Sequence, residues 1–174
     1  MEDIREEKET EFLQLYIEDL KNIEPEREDE KRQLFEALIC GNDAAVSRLA
    51  ELYLMQAVQL ASGYRGQGLG LADLIQEANV ALLTVLAGLD DADNANDRYI
   101  TDYIEKHLRE MLAAEQNEKQ SEEELADRIN LLSDATKMLA ERFGREATLQ
   151  EISEFTKLTG EEIKILMKMS LDAL

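Results

Sequence analysis

Acidic and amide side chains recur at helical spacing between residues 73 and 79, where the sequence reads Asp-Leu-Ile-Gln-Glu-Ala-Asn. On a helix, Asp73, Gln76 and Glu77 share one polar face, because residues three and four positions apart are neighbours. We assign Asn79 to the same face. Carboxylate and amide oxygens accept hydrogen bonds from arginine, and the bonds that involve ionised groups are the strong ones. The pattern therefore predicts either a surface for a basic partner or an ordinary solvated face.

The other residue types that could carry chemistry do not form a site. The glycines at positions 66, 68 and 70 are not followed by the glycine that a dinucleotide fingerprint needs at 71, and no Lys-Ser/Thr pair follows for a nucleotide-triphosphate loop. His107 is the single histidine, so no histidine pair can bind a metal, and a half-exposed helix residue is the simpler interpretation. The acidic run 90–97 lacks the glycine and the final glutamate of a calcium loop. We predict no enzyme, no cofactor and no metal.

The composition indicates an acidic protein that forms helices. The chain has 174 residues, a net charge of −20, one proline and eight glycines. Few helix breakers favour an all-α fold, and the negative charge repels phosphate at long range. Cys40 is the single cysteine, so a reducing compartment is expected. Since no apolar run reaches the ~18 residues of a membrane span and the N-terminus lacks a signal-peptide pattern, we expect a cytoplasmic protein without a membrane partner.

Apolar residues at helical spacing predict eight helices. Their expected ranges are 3–22, 26–40, 43–63, 71–88, 98–117, 121–143, 149–157 and 160–172. Capping boxes mark the start of the last three, at Ser121-x-x-Glu124, Thr148-x-x-Glu151 and Thr159-x-x-Glu162. The polar run 115–123 is the expected domain boundary, which gives domains 1–117 and 118–174. The final two helices have the length and tight turn of a helix-turn-helix.

Two segments resemble the sigma-70 family of bacterial transcription initiation factors. The first is Tyr64-x-Gly66-x-Gly68-Leu69 followed by residues 73–79, which depart from the family's Asp-Leu-Ile-Gln-Glu-Gly-Asn only at Ala78. The second runs from Gly144 to Ile152 and is similar to the family's Gly-Arg-Glu-Pro-Thr-x-x-Glu-(Ile/Leu). The resemblance covers about residues 12–172. It implies a region-two-like helical bundle over 1–117 and a region-three-like three-helix unit over 118–174, with region four absent.

The resemblance also implies a partner for the polar face. In the family, the Asp-Leu-Ile-Gln-Glu helix docks on a basic coiled coil of the beta-prime subunit of RNA polymerase. That role would be carried here by Asp73, Gln76, Glu77 and Asn79. The net charge of −20 agrees, because it would steer the protein toward a basic partner.

The segment that handles DNA in the family is altered here. The family's Tyr-Ala-Thr-Trp-Trp, which stacks flipped promoter bases, corresponds to Tyr99-Ile100-Thr101-Asp102-Tyr103. Both tryptophans are missing and an acid replaces one of them. The resemblance leaves four candidates for weak DNA contact: Tyr99, Tyr103, Lys106 and Arg109.

We therefore expect a sigma-like initiation factor, or a divergent or truncated paralogue, that binds core polymerase better than promoter DNA. Two alternatives stay open. One is a non-initiating acidic regulator that occupies polymerase or binds an anti-sigma protein. The other is an acidic helical scaffold without a polymerase role.

Overall fold

The all-α class is confirmed in the computed structural model, which describes residues 2–172, without the side chains of 2–9, 12 and 171–172. Within that range the chain forms seven α-helices, one short 3-10 turn and no strand. The helices are α1 (Glu2–Lys21), α2 (Glu30–Ile39), α3 (Ala44–Ser62), α4 (Leu71–Ala87), α5 (Asp97–Phe143), α6 (Leu149–Thr156) and α7 (Gly160–Asp172), and the 3-10 turn is Ala92–Asn94. None of these helices is both long enough and apolar enough to cross a bilayer.

The helix predicted to begin at Ser121 does not exist as a separate element. Helix α5 is continuous from Asp97 to Phe143, so the predicted end near 117 and the predicted cap at Ser121 are both wrong. Ser121 Oγ donates to the carbonyl of Asn117 at 2.8 Å, which is a bond inside a helix. The run 115–123 contains no glycine or proline, so no residue in it stops the helix.

The chain folds into two compact units, Met1–Glu115 and Gln116–Leu174. In the first unit, α3 packs against α2 and α4, and the apolar stripes of α3, α4 and α5 meet in one core. The most deeply buried large side chains of this core are Leu49, Tyr53, Leu74, Leu82, Leu86, Ile100, Ile104 and Leu108.

The start of α4 is set by the glycine-rich turn, as the sequence predicts. Gly66 and Gly68 have φ angles of 80° and 115°, in the left-handed region that favours glycine. Gly70 follows with an extended backbone, and its carbonyl accepts the first helical hydrogen bond, from the Leu74 amide at 3.1 Å. The turn therefore fixes the residue at which α4 begins.

Arg48 on α3 holds the turn between α1 and α2. Its Nε donates to Glu30 Oε1 at 2.8 Å, and its Nη2 donates to the carbonyl of Glu24 at 3.0 Å. The hydrogen bond with Arg48 lowers the pKa of Glu30 to about 2. The helix predicted over 26–40 begins only at Glu30, because Asp29 before it adopts a left-handed φ of 61°.

The second unit has its own smaller core. Leu132 and Leu139 of α5 pack with Ile152 of α6 and with Ile163 and Leu166 of α7. The predicted capping box at the start of α6 is confirmed, since the Thr148 hydroxyl accepts from the Glu151 amide and the Glu151 carboxylate accepts from the Thr148 amide. The predicted box at α7 has the same pair of bonds between Thr159 and Glu162.

Candidate docking surface

Helix α4 presents its first acidic and amide residues to solvent. Asp73 and Gln76 are exposed, and Glu77 is partly exposed. Between them, Leu74, Ile75 and Ala78 are buried in the core. The apolar side of the helix therefore fixes its rotation, and the first two turns offer a carboxylate and an amide to a partner.

The carboxylate of Glu77 has a partner on α5 that the sequence does not predict. His107 Nε2 lies 3.0 Å from Glu77 Oε2, and both side chains are about one-third exposed, at 35% and 33%. An ionised carboxylate only accepts hydrogen bonds, so the imidazole nitrogen is the donor. The two residues are 30 positions apart in the chain, and helical periodicity carries no signal over that separation.

Asn79 lies on a different side of α4 from Asp73. Six residues at about 100° each place it about 120° around the helix from Asp73. Its Nδ2 donates to the hydroxyl of Tyr16 on α1 at 2.8 Å. Its Oδ1 is buried and has no partner among residues 2–172. The Asn79 side chain thus joins α1 to α4. Its assignment to the same polar face as Asp73 stays a prediction, and its position on another side of the helix gives that assignment no support.

Two apolar side chains continue the exposed face of α4. Val80 is 46% exposed and Leu83 is 50% exposed. They follow Asp73 and Gln76 at the three- and four-residue spacing of a single helical stripe. Single exposed apolar residues are ordinary, and contiguous apolar patches rimmed by polar groups mark interfaces. Val80 and Leu83 are neighbours on one stripe and are therefore candidates for such a patch. We call this set the α4 surface, and its members are Asp73, Gln76, Glu77, Val80 and Leu83.

The candidates for DNA contact lie on α5, and its cations are already paired. Lys106 Nζ lies 3.7 Å from Glu110, and Arg109 Nη1 donates to Glu105 at 3.1 Å and to the Tyr64 hydroxyl at 3.3 Å. The hydrogen bond with Glu105 raises the pKa of Arg109 further above its usual value. Neither Lys106 nor Arg109 therefore offers an unpaired positive charge to a phosphate.

The two aromatic candidates are placed differently. Tyr99 is 36% exposed, which leaves part of its ring available for stacking. Tyr103 is partly buried and packs against the core of the first unit. Tyr99 is therefore the more accessible of the two rings for stacking against an unstacked base.

A cleft between α2 and the 3-10 turn is also poorly suited to phosphate. It encloses about 720 Å³, and its lining contains four carboxylates and two cations: Glu26, Asp29, Glu36, Asp97, Lys31 and Arg32. Lys31 Nζ lies 3.5 Å from Asp97 and 4.4 Å from the centre of the Tyr53 ring, so its charge is engaged. Arg32 pairs with Asp29 and Glu36. The remaining negative charge would repel a nucleic-acid backbone.

Comparison with known proteins shows a distant similarity to one class of transcription factor. No family model matches it. It is 26% identical over 159 residues to the RNA polymerase sigma factor SigA of a Bacillus species, with 91% of this chain and 42% of the relative covered. The corresponding protein of Listeria monocytogenes is 25% identical over 159 residues with the same coverage. The chain thus spans less than half the length of the curated relatives it matches, and the matches support a distant sigma-70-like relationship.

Proposed function

We propose that this chain is a divergent sigma-like transcription initiation factor that binds core RNA polymerase through the α4 surface and contacts promoter DNA weakly. The observation that carries the proposal is the exposed stripe that begins with Asp73 and Gln76 and continues through Val80 and Leu83. The distant relationship to sigma factors over 91% of the chain supports the sigma-like role.

The chemistry of the α4 surface fits a basic helical partner such as the beta-prime coiled coil. Neither Asp73 nor Gln76 has a side-chain partner within the part of the chain that the structure describes. Their oxygens are therefore free to accept hydrogen bonds from arginine, which are strong when the carboxylate is ionised. Val80 and Leu83 would add apolar contact beside them. Charge would set the approach and orientation, and apolar contact would slow dissociation.

We further assign the unit Met1–Glu115 to a region-two-like role and the unit Gln116–Leu174 to a region-three-like role. The first unit contains α4 with its docking surface and the α5 segment that corresponds to the family's DNA-handling residues. The second contains the Gly144–Thr148 turn that resembles region three.

A charge reversal tests the docking proposal. Asp73→Lys with Glu77→Lys should reduce capture of core RNA polymerase at moderate salt by at least about tenfold, since two attractive contacts become repulsive. The matched control is Glu118→Lys with Glu122→Lys, which has the same spacing and charge change on the exposed face of α5. Equal capture of the reversed variant and of the control would contradict docking through α4.

A second candidate function is a non-initiating regulator that occupies polymerase or binds an anti-sigma protein. The paired cations of α5 and the acidic cleft beside α2 favour it, because both disfavour DNA. Transcription in vitro with core enzyme and added promoter DNA separates the two. Transcripts with a defined start site support the initiation factor, and polymerase capture without such transcripts supports the regulator.

A further inference from the structure

The contact between Glu77 and His107 joins the α4 surface to α5. It is a side-chain hydrogen bond of 3.0 Å between partly exposed groups. Glu77 has no other side-chain partner in the described part of the protein, and the second carboxylate oxygen is not used by this bond. An ionised carboxylate can accept about four hydrogen bonds. A basic side chain from a partner could therefore bind Glu77 while the imidazole still holds it.

The neighbours of His107 on α5 are engaged elsewhere. Lys106 pairs with Glu110, and Arg109 pairs with Glu105 and with the hydroxyl of Tyr64. Neither cation therefore competes with the imidazole for Glu77. The contact is specific to one donor and one acceptor, and it can be broken from either side by a single substitution.

We propose that His107 is a positioning residue of the α4 surface, which holds the Glu77 carboxylate in the orientation that a basic partner side chain requires. This inference rests on the proposed function. A free glutamate samples several rotamers and loses that freedom when it is bound. A glutamate that is already held loses less on binding, so the partner binds more tightly.

Three substitutions at His107 give different expectations. His107→Ala removes the donor and should weaken binding of core polymerase about threefold to tenfold, the scale of ordering one flexible side chain at an interface. His107→Gln places an amide nitrogen near the position of Nε2 and should restore most of the affinity. His107→Asn is too short to reach Glu77 and should behave like His107→Ala.

The experiment measures the affinity of the full chain for purified core RNA polymerase from a Bacillus species. Cys40 is the only cysteine and is exposed, so a fluorescent label on its thiol allows a titration followed by anisotropy. Each His107 variant is made in the native chain and in a Glu77→Ala background. Thermal unfolding of every variant is recorded alongside.

The expected result is a loss of affinity in His107→Ala that Gln rescues and that disappears in the Glu77→Ala background. The inference is overturned if His107→Ala binds as tightly as the native chain while Glu77→Ala binds weakly. It is also overturned if His107→Ala binds more tightly, since the imidazole would then compete with the partner, or if the loss persists without Glu77. Failure of the native chain itself to bind polymerase would instead reject the proposed function and remove the basis of the inference.

Discussion

Truncation of Leu83 to alanine measures how much the apolar half of the α4 surface contributes. The side chain is 50% exposed, and complete burial of a leucine is worth about 1.5–3 kcal/mol. Covering the exposed half would then contribute about 1 kcal/mol. Because about 1.4 kcal/mol corresponds to a tenfold change in affinity, Leu83→Ala should raise the Kd for core polymerase about fivefold.

The substitution is expected to leave the fold intact. Leu83 lies on the solvent side of α4, and alanine has a helix propensity at least equal to that of leucine. The matched control is Leu131→Ala, which removes an equally large side chain that is 45% exposed on α5. Anisotropy titration gives the Kd, and circular dichroism gives the unfolding temperature.

Two results would refute this reasoning. If Leu83→Ala binds polymerase as well as the native chain while the reversal of Asp73 and Glu77 abolishes binding, the partner contacts only the polar turns of α4. If Leu131→Ala weakens binding as much as Leu83→Ala does, the loss does not report on the α4 surface. A loss in Leu83→Ala alone would extend the surface by two helical turns beyond the acidic residues.

Two further predictions concern stability. Leu74→Ala should lower the free energy of unfolding by about 2–5 kcal/mol in urea titrations, because Leu74 is fully buried beneath the α4 surface and its truncation leaves a cavity. A decrease below about 1 kcal/mol would show that the core there is loosely packed. Hydrogen bonds hold the pKa of three carboxyls at about 2 instead of the ordinary 4.5: Arg48 acts on Glu30, Arg145 on Glu151 and the Thr159 amide on Glu162. Since each folded pKa lies below the unfolded one, the stabilisation is complete above about pH 5 and is lost as the pH falls toward about 2. Unfolding free energy measured across that interval should fall, and the fall should shrink in Glu30→Gln.

The sequence predicts elements well where the signals are local. The turn at Gly66–Gly70 and the capping box at Thr148 lie within a few residues of the helix ends that they determine, and helices α3 and α4 begin and end within one residue of the predicted bounds. The cap predicted at Ser121 is wrong because the same residue types also fit inside a continuous helix. A capping signature fixes a helix start only where something stops the helix before it.

The sequence predicts fewer of the contacts that form the candidate site. The contact of Glu77 with His107 and the contact of Asn79 with Tyr16 join residues 30 and 63 positions apart. Such contacts depend on how helices pack, which periodicity does not specify. Periodicity does place Val80 and Leu83 on the stripe of Asp73 and Gln76, but both are apolar, and only their exposure in the folded protein separates them from core residues.

The distribution of charge, more than its total, distinguishes the two surfaces of the first unit. On α4, the Asp73 carboxylate has no side-chain partner within the described part of the chain. A basic partner would therefore not have to displace a cation of the chain itself. On α5, Arg98, Lys106 and Arg109 each lie beside a carboxylate one helical turn away. These pairs are exposed and individually weak. A phosphate that recruits such a cation still has to displace that carboxylate or lie close to it, and both reduce the gain from the contact. Under the proposed function, this arrangement would let one acidic chain attract a basic protein surface through α4 while the paired cations of α5 weaken its attraction for DNA.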